Sequence, residues 1–171
     1  MNVRKLTVSA LLTAVALALS YVERFIPLNL LIPLPGIKLG LANVVTMFAL
    51  YALGPGYVAG ILLSRCILGS VFAGSVSSLM FSLSGGILSY FVMLTAKNLK
   101  VFSVFGVSVL GASAHNTGQI LIAMVLMKST AIAGYLPVLL ITSCVTGIVT
   151  ALMACGVLKS IPEAVYKGRS I

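Results

Sequence analysis

An all-α integral membrane protein, a bundle of six transmembrane helices, is the fold this sequence predicts, and three observations carry it. Of 171 residues, 60% are hydrophobic and only 8% are charged, whereas a water-soluble domain needs about a quarter charged to cover its surface. The apolar residues fall in runs of about 20, the helix length that crosses ~30 Å of hydrocarbon. Between the runs lie basic residues, prolines and glycines. Lipid offers the backbone no hydrogen bonds, and a helix satisfies its own. No domain boundary or internal repeat interrupts residues 1–171, so the chain reads as a single transmembrane domain.

The first span runs over about 4–24. Arg4 and Lys5 followed by an uncharged run to Val22 resemble a signal peptide, but the rest of the chain is equally apolar, so this run reads as the first membrane helix. A loop with Pro27, Pro33, Pro35 and Gly36 follows. The second span, 38–53, is short and stops at Gly54-Pro55-Gly56, a strong turn signal. The third covers 57–73, and this pair also admits a re-entrant reading. Gly74 and the serines after it turn the chain into a fourth span, 77–96. Lys97, Asn98 and Lys100 break it. The fifth covers 102–127, a loop spans 128–134, and the sixth covers 135–158.

Charge orients the bundle. Arg4, Lys5, Lys97, Lys100, Lys159, Lys167 and Arg169 gather on the side of the two termini. Arg24, Lys38 and Lys128 lie on the other. That bias places the termini in the cytoplasm and the proline-rich loop outside, in a multi-pass protein of a cell inner or plasma membrane. The net charge of +9 forms no stripe of the kind that binds nucleic acid, so no nucleic-acid partner is expected. Cys66, Cys144 and Cys155 form no C-x-x-C pair and are expected as small buried hydrophobes.

Two polar groups stand inside the spans. Arg65 sits in the middle of the third, where a charge in lipid costs several kcal/mol and must face the protein interior or a water-filled cavity. It reads as a counter-charge for an anionic ligand, or as a structural arginine held by carbonyls or paired with Glu23. His115, Asn116 and Gln119 lie in the fifth span. His115 and Gln119, four apart, share a helical face. The three can contact a ligand or bond neighbouring helices. One histidine without nearby carboxylates makes no metal site, and no cofactor is expected. Counting ~1.5 Å per residue puts Asn43 two turns below the outer surface, level with an outward-opening cavity. Lys38, Asn43, Arg65, His115, Asn116 and Gln119 are therefore the candidate substrate-binding residues. Because the charges among them are positive, the expected solute is anionic. Ala10, Ala14 and Ala18 form a smooth stripe on the first helix, suited to a close helix partner. Gly56 and Gly60 also match the small-residue spacing G-x-x-x-G.

Three stretches carry a resemblance: Pro35-Gly-Ile-Lys-Leu-Gly-Leu-Ala-Asn43, Ser84-Gly-Gly86 and Gly111-Ala-Ser-Ala-His-Asn-Thr-Gly-Gln119. Together they resemble the Gx transporter family, whose members often carry the name heptaprenyl diphosphate synthase component I. That family is similar to the substrate-binding S components of energy-coupling factor (ECF) transporters. The resemblance implies six helices with cytoplasmic termini and a solute bound from outside, under the loop after the first helix. It also implies an alanine-rich first helix, here Ala10, Ala14 and Ala18, docked on a transmembrane coupling subunit that works with ATPases. The chain has no Walker A motif of its own. It also has no aspartate, and its two acids, Glu23 and Glu163, fall on opposite sides of the predicted membrane. A magnesium–carboxylate site for a prenyl diphosphate cannot be assembled from this chain alone. The expectation is a non-enzymatic solute-binding subunit, for a flavin or an isoprenoid- or quinone-related anion. The alternative is a non-transporting membrane accessory subunit for isoprenoid or quinone synthesis or electron transfer. An intramembrane enzyme with His115 as base lacks an orienting carboxylate and a nucleophile.

Overall fold

The computed structural model describes residues 3–25 and 40–160, the side chain of Arg24 excepted. Among them the only regular elements are helices: α1 (Val3–Val22), α2 (Asn43–Ala52), α3 (Pro55–Ala73), α4 (Val76–Leu99), α5 (Val104–Met127) and α6 (Leu136–Ser160). Five are long and apolar enough to cross a membrane, α6 together with the 3-10 turn Thr130–Tyr135 that leads into it. The expected loop over 128–134 is thus largely helical. The six runs predicted from sequence recur as six helices. The second differs most, because α2 has only 10 residues, about 15 Å at 1.5 Å per residue.

The helix ends follow local chemistry. Gly54, at φ +102°, turns the chain after α2, and Pro55 fills the first turn of α3, where a missing N–H costs nothing. Gly74 closes α3 in the left-handed region. The hydroxyls of Ser75 and Ser103 cap α4 and α5 by accepting the N–H groups of Ser78 and Gly106, each satisfying an otherwise orphaned donor. Lys100 and Lys128 end the same two helices at φ +56° and +49°.

α2 is the hub. Asn43 to Leu50 are all buried, and the helix touches all five others. A helix that is apolar on every side belongs in an interior. Its last turn is tied down by Lys97, whose Nζ donates to the Leu50 carbonyl at 2.6 Å and lies 4.6 Å above the Tyr51 ring. Around it α4, α5 and α6 pack as antiparallel neighbours, with Ser108 donating to the Gly147 carbonyl across α5–α6 at 2.7 Å. Between α4 and α5 the backbones nearly touch. A Cβ on Gly118 would lie 2.6 Å from the Ser84 carbonyl oxygen, and the Ser84 hydroxyl donates to the Gly118 carbonyl. This is how membrane helices associate when no hydrophobic effect drives them.

α1 runs parallel to α3, with Lys5 over the Tyr57 ring at one end and Leu17 against Gly69 further along. Only Ser9, Thr13 and Ala16 of α1 are buried. Ala10, Ala14 and Ala18 are exposed, so the stripe is not used for packing within the chain. Beside it an apolar groove of about 630 Å³ separates the first halves of α1 and α3. Contacts along the helices gather Arg4, Lys5, Lys97, Lys100 and Lys159 at one end of the bundle. One cysteine expectation is corrected: Cys66 is buried, but Cys144 is exposed, because α6 turns that face outward.

Candidate functional site

Near the end of α1, five segments converge on a cavity of about 50 Å³ whose polar lining includes Ser20, Tyr21, Glu23, Arg65, Ser82 and His115. Each segment presents its side chain for a local reason. α1 finishes in a 3-10 turn, Glu23–Phe25, that swings the Glu23 carboxylate inward, where it is 4% exposed. Gly40 begins the described chain ahead of α2 at φ +83°, a conformation glycine adopts freely. Its N–H donates to Glu23 Oε1, and its carbonyl accepts the N–H of Asn43 at 2.8 Å. The end of α1 is thereby tied to the start of α2.

Arg65 enters from the middle of α3 and is 7% exposed. Its Nη2 donates to Asn43 Oδ1 at 3.1 Å. Glu23 lines the same cavity and brings the opposite charge to it. Such a pair offsets part of the cost of burying each charge. Among the described residues, two donors of the Arg65–Asn43 pair have no acceptor: Arg65 Nε and Asn43 Nδ2, both fully shielded. A buried donor left unmade costs about 1–3 kcal/mol, so this pair marks a place where an acceptor belongs.

His115 comes from the middle of α5 and is held from three sides. Gln119 Nε2 is hydrogen-bonded to its Nε2 at 3.0 Å. α4 presses on the ring: a Cβ on Gly85 would stand 2.9 Å from Nδ1. Gly40 closes the third side, since a Cβ there would lie 3.3 Å from Cδ2 of the ring and 2.8 Å from Asn43 Nδ2. The stretches 35–43, 84–86 and 111–119 are far apart in sequence, and their described parts meet around this ring.

The candidates divide cleanly. Asn43, Arg65 and His115 come together, with Gln119 behind the histidine. Asn116 points elsewhere: its Nδ2 donates to the Leu139 carbonyl at 3.1 Å and to Ser143 Oγ at 2.8 Å, so it joins α5 to α6. Lys38 lies outside the described residues, as do Pro27, Pro33, Pro35 and Gly36 of the loop. Sequence reasoning named Glu23 as a structural partner for Arg65 but left it out of the substrate-binding set, in which it counted only positive charge. Among the described residues the cavity holds one carboxylate against one guanidinium. The available signal was a lone acid at the end of an apolar run, in a chain with only two acids.

A family model described as heptaprenyl diphosphate synthase component I matches residues 12–157. The chain belongs to that family. The match contains Glu23, Asn43, Arg65, His115 and Gln119 and stops short of Ala10. No curated protein and no solved structure matches the chain. Membership in the heptaprenyl diphosphate synthase component I family agrees with the resemblance carried by the three stretches, and it associates this membrane protein with a synthase by name.

Proposed function

We propose that this protein is the solute-binding membrane subunit of an ECF-type transporter, non-enzymatic itself and energised by partner ATPases. The observation that carries the reading is Arg65, a charge buried in mid-helix beside a cavity, with its Nε and Asn43 Nδ2 awaiting an acceptor. Intramembrane charges that face a protein cavity mark ligand and ion paths. The acceptor is the anionic or electron-rich end of a small solute, a flavin or an isoprenoid- or quinone-related anion. His115, held by Gln119, orients it. The cavity lies towards the end of the bundle opposite the basic cluster, which by the positive-inside rule is the outside. The exposed Ala10, Ala14 and Ala18 face is then free for the coupling subunit.

A thermal-shift screen of the purified protein against flavins, isoprenoid diphosphates, quinone precursors and vitamins tests this. One solute class is expected to raise the melting temperature, and Arg65→Ala and His115→Ala are expected to abolish that rise while remaining folded. A flat response across the panel sinks the reading.

The family description favours a second reading, a membrane accessory subunit of a prenyl diphosphate synthase. Since the chain contains no aspartate, the diphosphate-binding carboxylates would belong to a partner. Affinity purification from native membranes separates the two: a soluble synthase in stoichiometric yield supports the accessory subunit, and ATPases with a membrane coupling subunit support the transporter.

A further inference from the structure

We propose that the Glu23 carboxylate is a built-in stand-in for the anionic group of the solute: it occupies the Arg65 site when the site is empty and is displaced on binding. The inference rests on the solute-binding reading above and adds a specificity-determining residue to it.

The argument begins with charge. Arg65 and Glu23 line one cavity of about 50 Å³, and each is at least nine-tenths buried. Among the described residues these are the charges that line it, and they cancel. Adding a monoanion while Glu23 stays would put two negative charges against one positive in a medium of low dielectric, where like charges repel strongly. Anion binding and the inward position of Glu23 therefore exclude one another. A purely structural ion pair has no reason to leave donors idle beside it. Here, among the described residues, Arg65 Nε lacks an acceptor although a carboxylate shares its cavity, and so does Nδ2 of Asn43, the residue that Arg65 Nη2 holds. The carboxylate satisfies part of the site and leaves the rest for another occupant.

Displacement has a mechanical consequence. The same carboxylate accepts the Gly40 N–H, so its departure unties the end of α1 from the start of α2. α1 is the helix least embedded in the bundle, with 11% of its apolar window buried. Losing this tie frees the helix whose outer face carries Ala10, Ala14 and Ala18. Solute binding at Arg65 is in this way converted into movement of α1.

The test needs no knowledge of the solute. Thermal unfolding of the full chain is compared in sodium gluconate, whose carboxylate is tied to a strongly hydrated polyol chain, and in sodium formate, which presents one small bare carboxylate. The wild type is expected to melt at the same temperature in both. Glu23→Gln is expected to melt several degrees lower in gluconate and to recover in formate. The double variant Glu23→Gln/Arg65→Gln, which has no charge left to satisfy, is expected to ignore the anion. Amide exchange at Gly40 should accelerate in Glu23→Gln and in the double variant alike. If Glu23→Gln does not survive in gluconate, it is purified in formate throughout. Failure to fold there, while the double variant folds, overturns the proposal. So does a wild type that gains from formate as much as Glu23→Gln does, or a Glu23→Gln that gains nothing. These outcomes concern only the exchange of anions at Arg65, whereas the transport reading stands or falls on the solute panel.

Discussion

The two flanks of the bundle are built on opposite plans. On the α4–α5–α6 flank the backbones close to contact: Gly118 lies against the Ser84 carbonyl, Gly85 against the His115 ring, and Asn116 is spent on α6. On the α1–α3 flank, space is kept open, as the small polar cavity at one end and the apolar groove at the other. A Cβ on Gly56 or Gly60 would meet nothing within 4 Å. In lipid, where burying apolar surface gains little, tight contact holds helices together and its absence lets them move. The first flank is the frame, and the second is the side to which the proposed ligand and partner are assigned.

The largest expected effect breaks this contrast directly. Gly118→Val places two methyl groups where the Ser84 carbonyl and the Gly85 backbone stand. Backbone cannot rotate away as a side chain does, so the cost should exceed about 3 kcal/mol, the upper end of ordinary overpacking. Gly60→Val on α3 and Ala14→Leu on α1 add comparable bulk to open faces and should change stability by no more than about 0.5 kcal/mol. Unfolding in mixed micelles measures all three. Equal losses at Gly118 and Gly60 would erase the distinction between frame and moving side.

A smaller effect sharpens it at one turn of α5. Asn116→Ala removes two hydrogen bonds to α6 and should cost about 1–2 kcal/mol, in line with interhelical polar contacts in membranes. Its solute response should match the wild type. His115→Ala, one residue away, should do the reverse, holding most of the stability and losing the response. If Asn116→Ala abolishes solute binding at unchanged stability, then the α5–α6 bond is not the role of this side chain.

Much of this was legible in the chain. The helices were, because each apolar run has a length set by the membrane and an end set by glycine, proline or lysine. Arg65 and His115 were, because a polar side chain inside an apolar run must find company. Direction around the helix was not. Asn116 and His115 are neighbours in sequence, and only packing decides that one serves α6 and the other the cavity. Glu23 was legible as a partner for Arg65 but not as part of the ligand cavity, for a related reason. The 3-10 turn that carries it inward brings its carboxylate to the N–H of Gly40, 17 residues further on, a contact that no local pattern signals. The short α2 shows the same limit, since a periodic pattern cannot reveal that five other helices surround it.

The smallest expected effect lies at a helix end on the frame side. Lys128 closes α5 at φ +49°, and no glycine relieves it. A residue with a Cβ in the left-handed region carries roughly 1–2 kcal/mol of strain. Part of that is offset here, because a cation at a helix C-terminus faces the negative end of the macrodipole. Lys128→Gly removes the strain and the charge together and adds backbone freedom to the unfolded chain. The balance should be a gain of about 0.5 kcal/mol, read as a melting rise of a degree or two with solute response unchanged. A loss would mean that the charge outweighs the strain at this cap. Lys128→Asn, which tolerates the same conformation without the charge, would then lose stability as well.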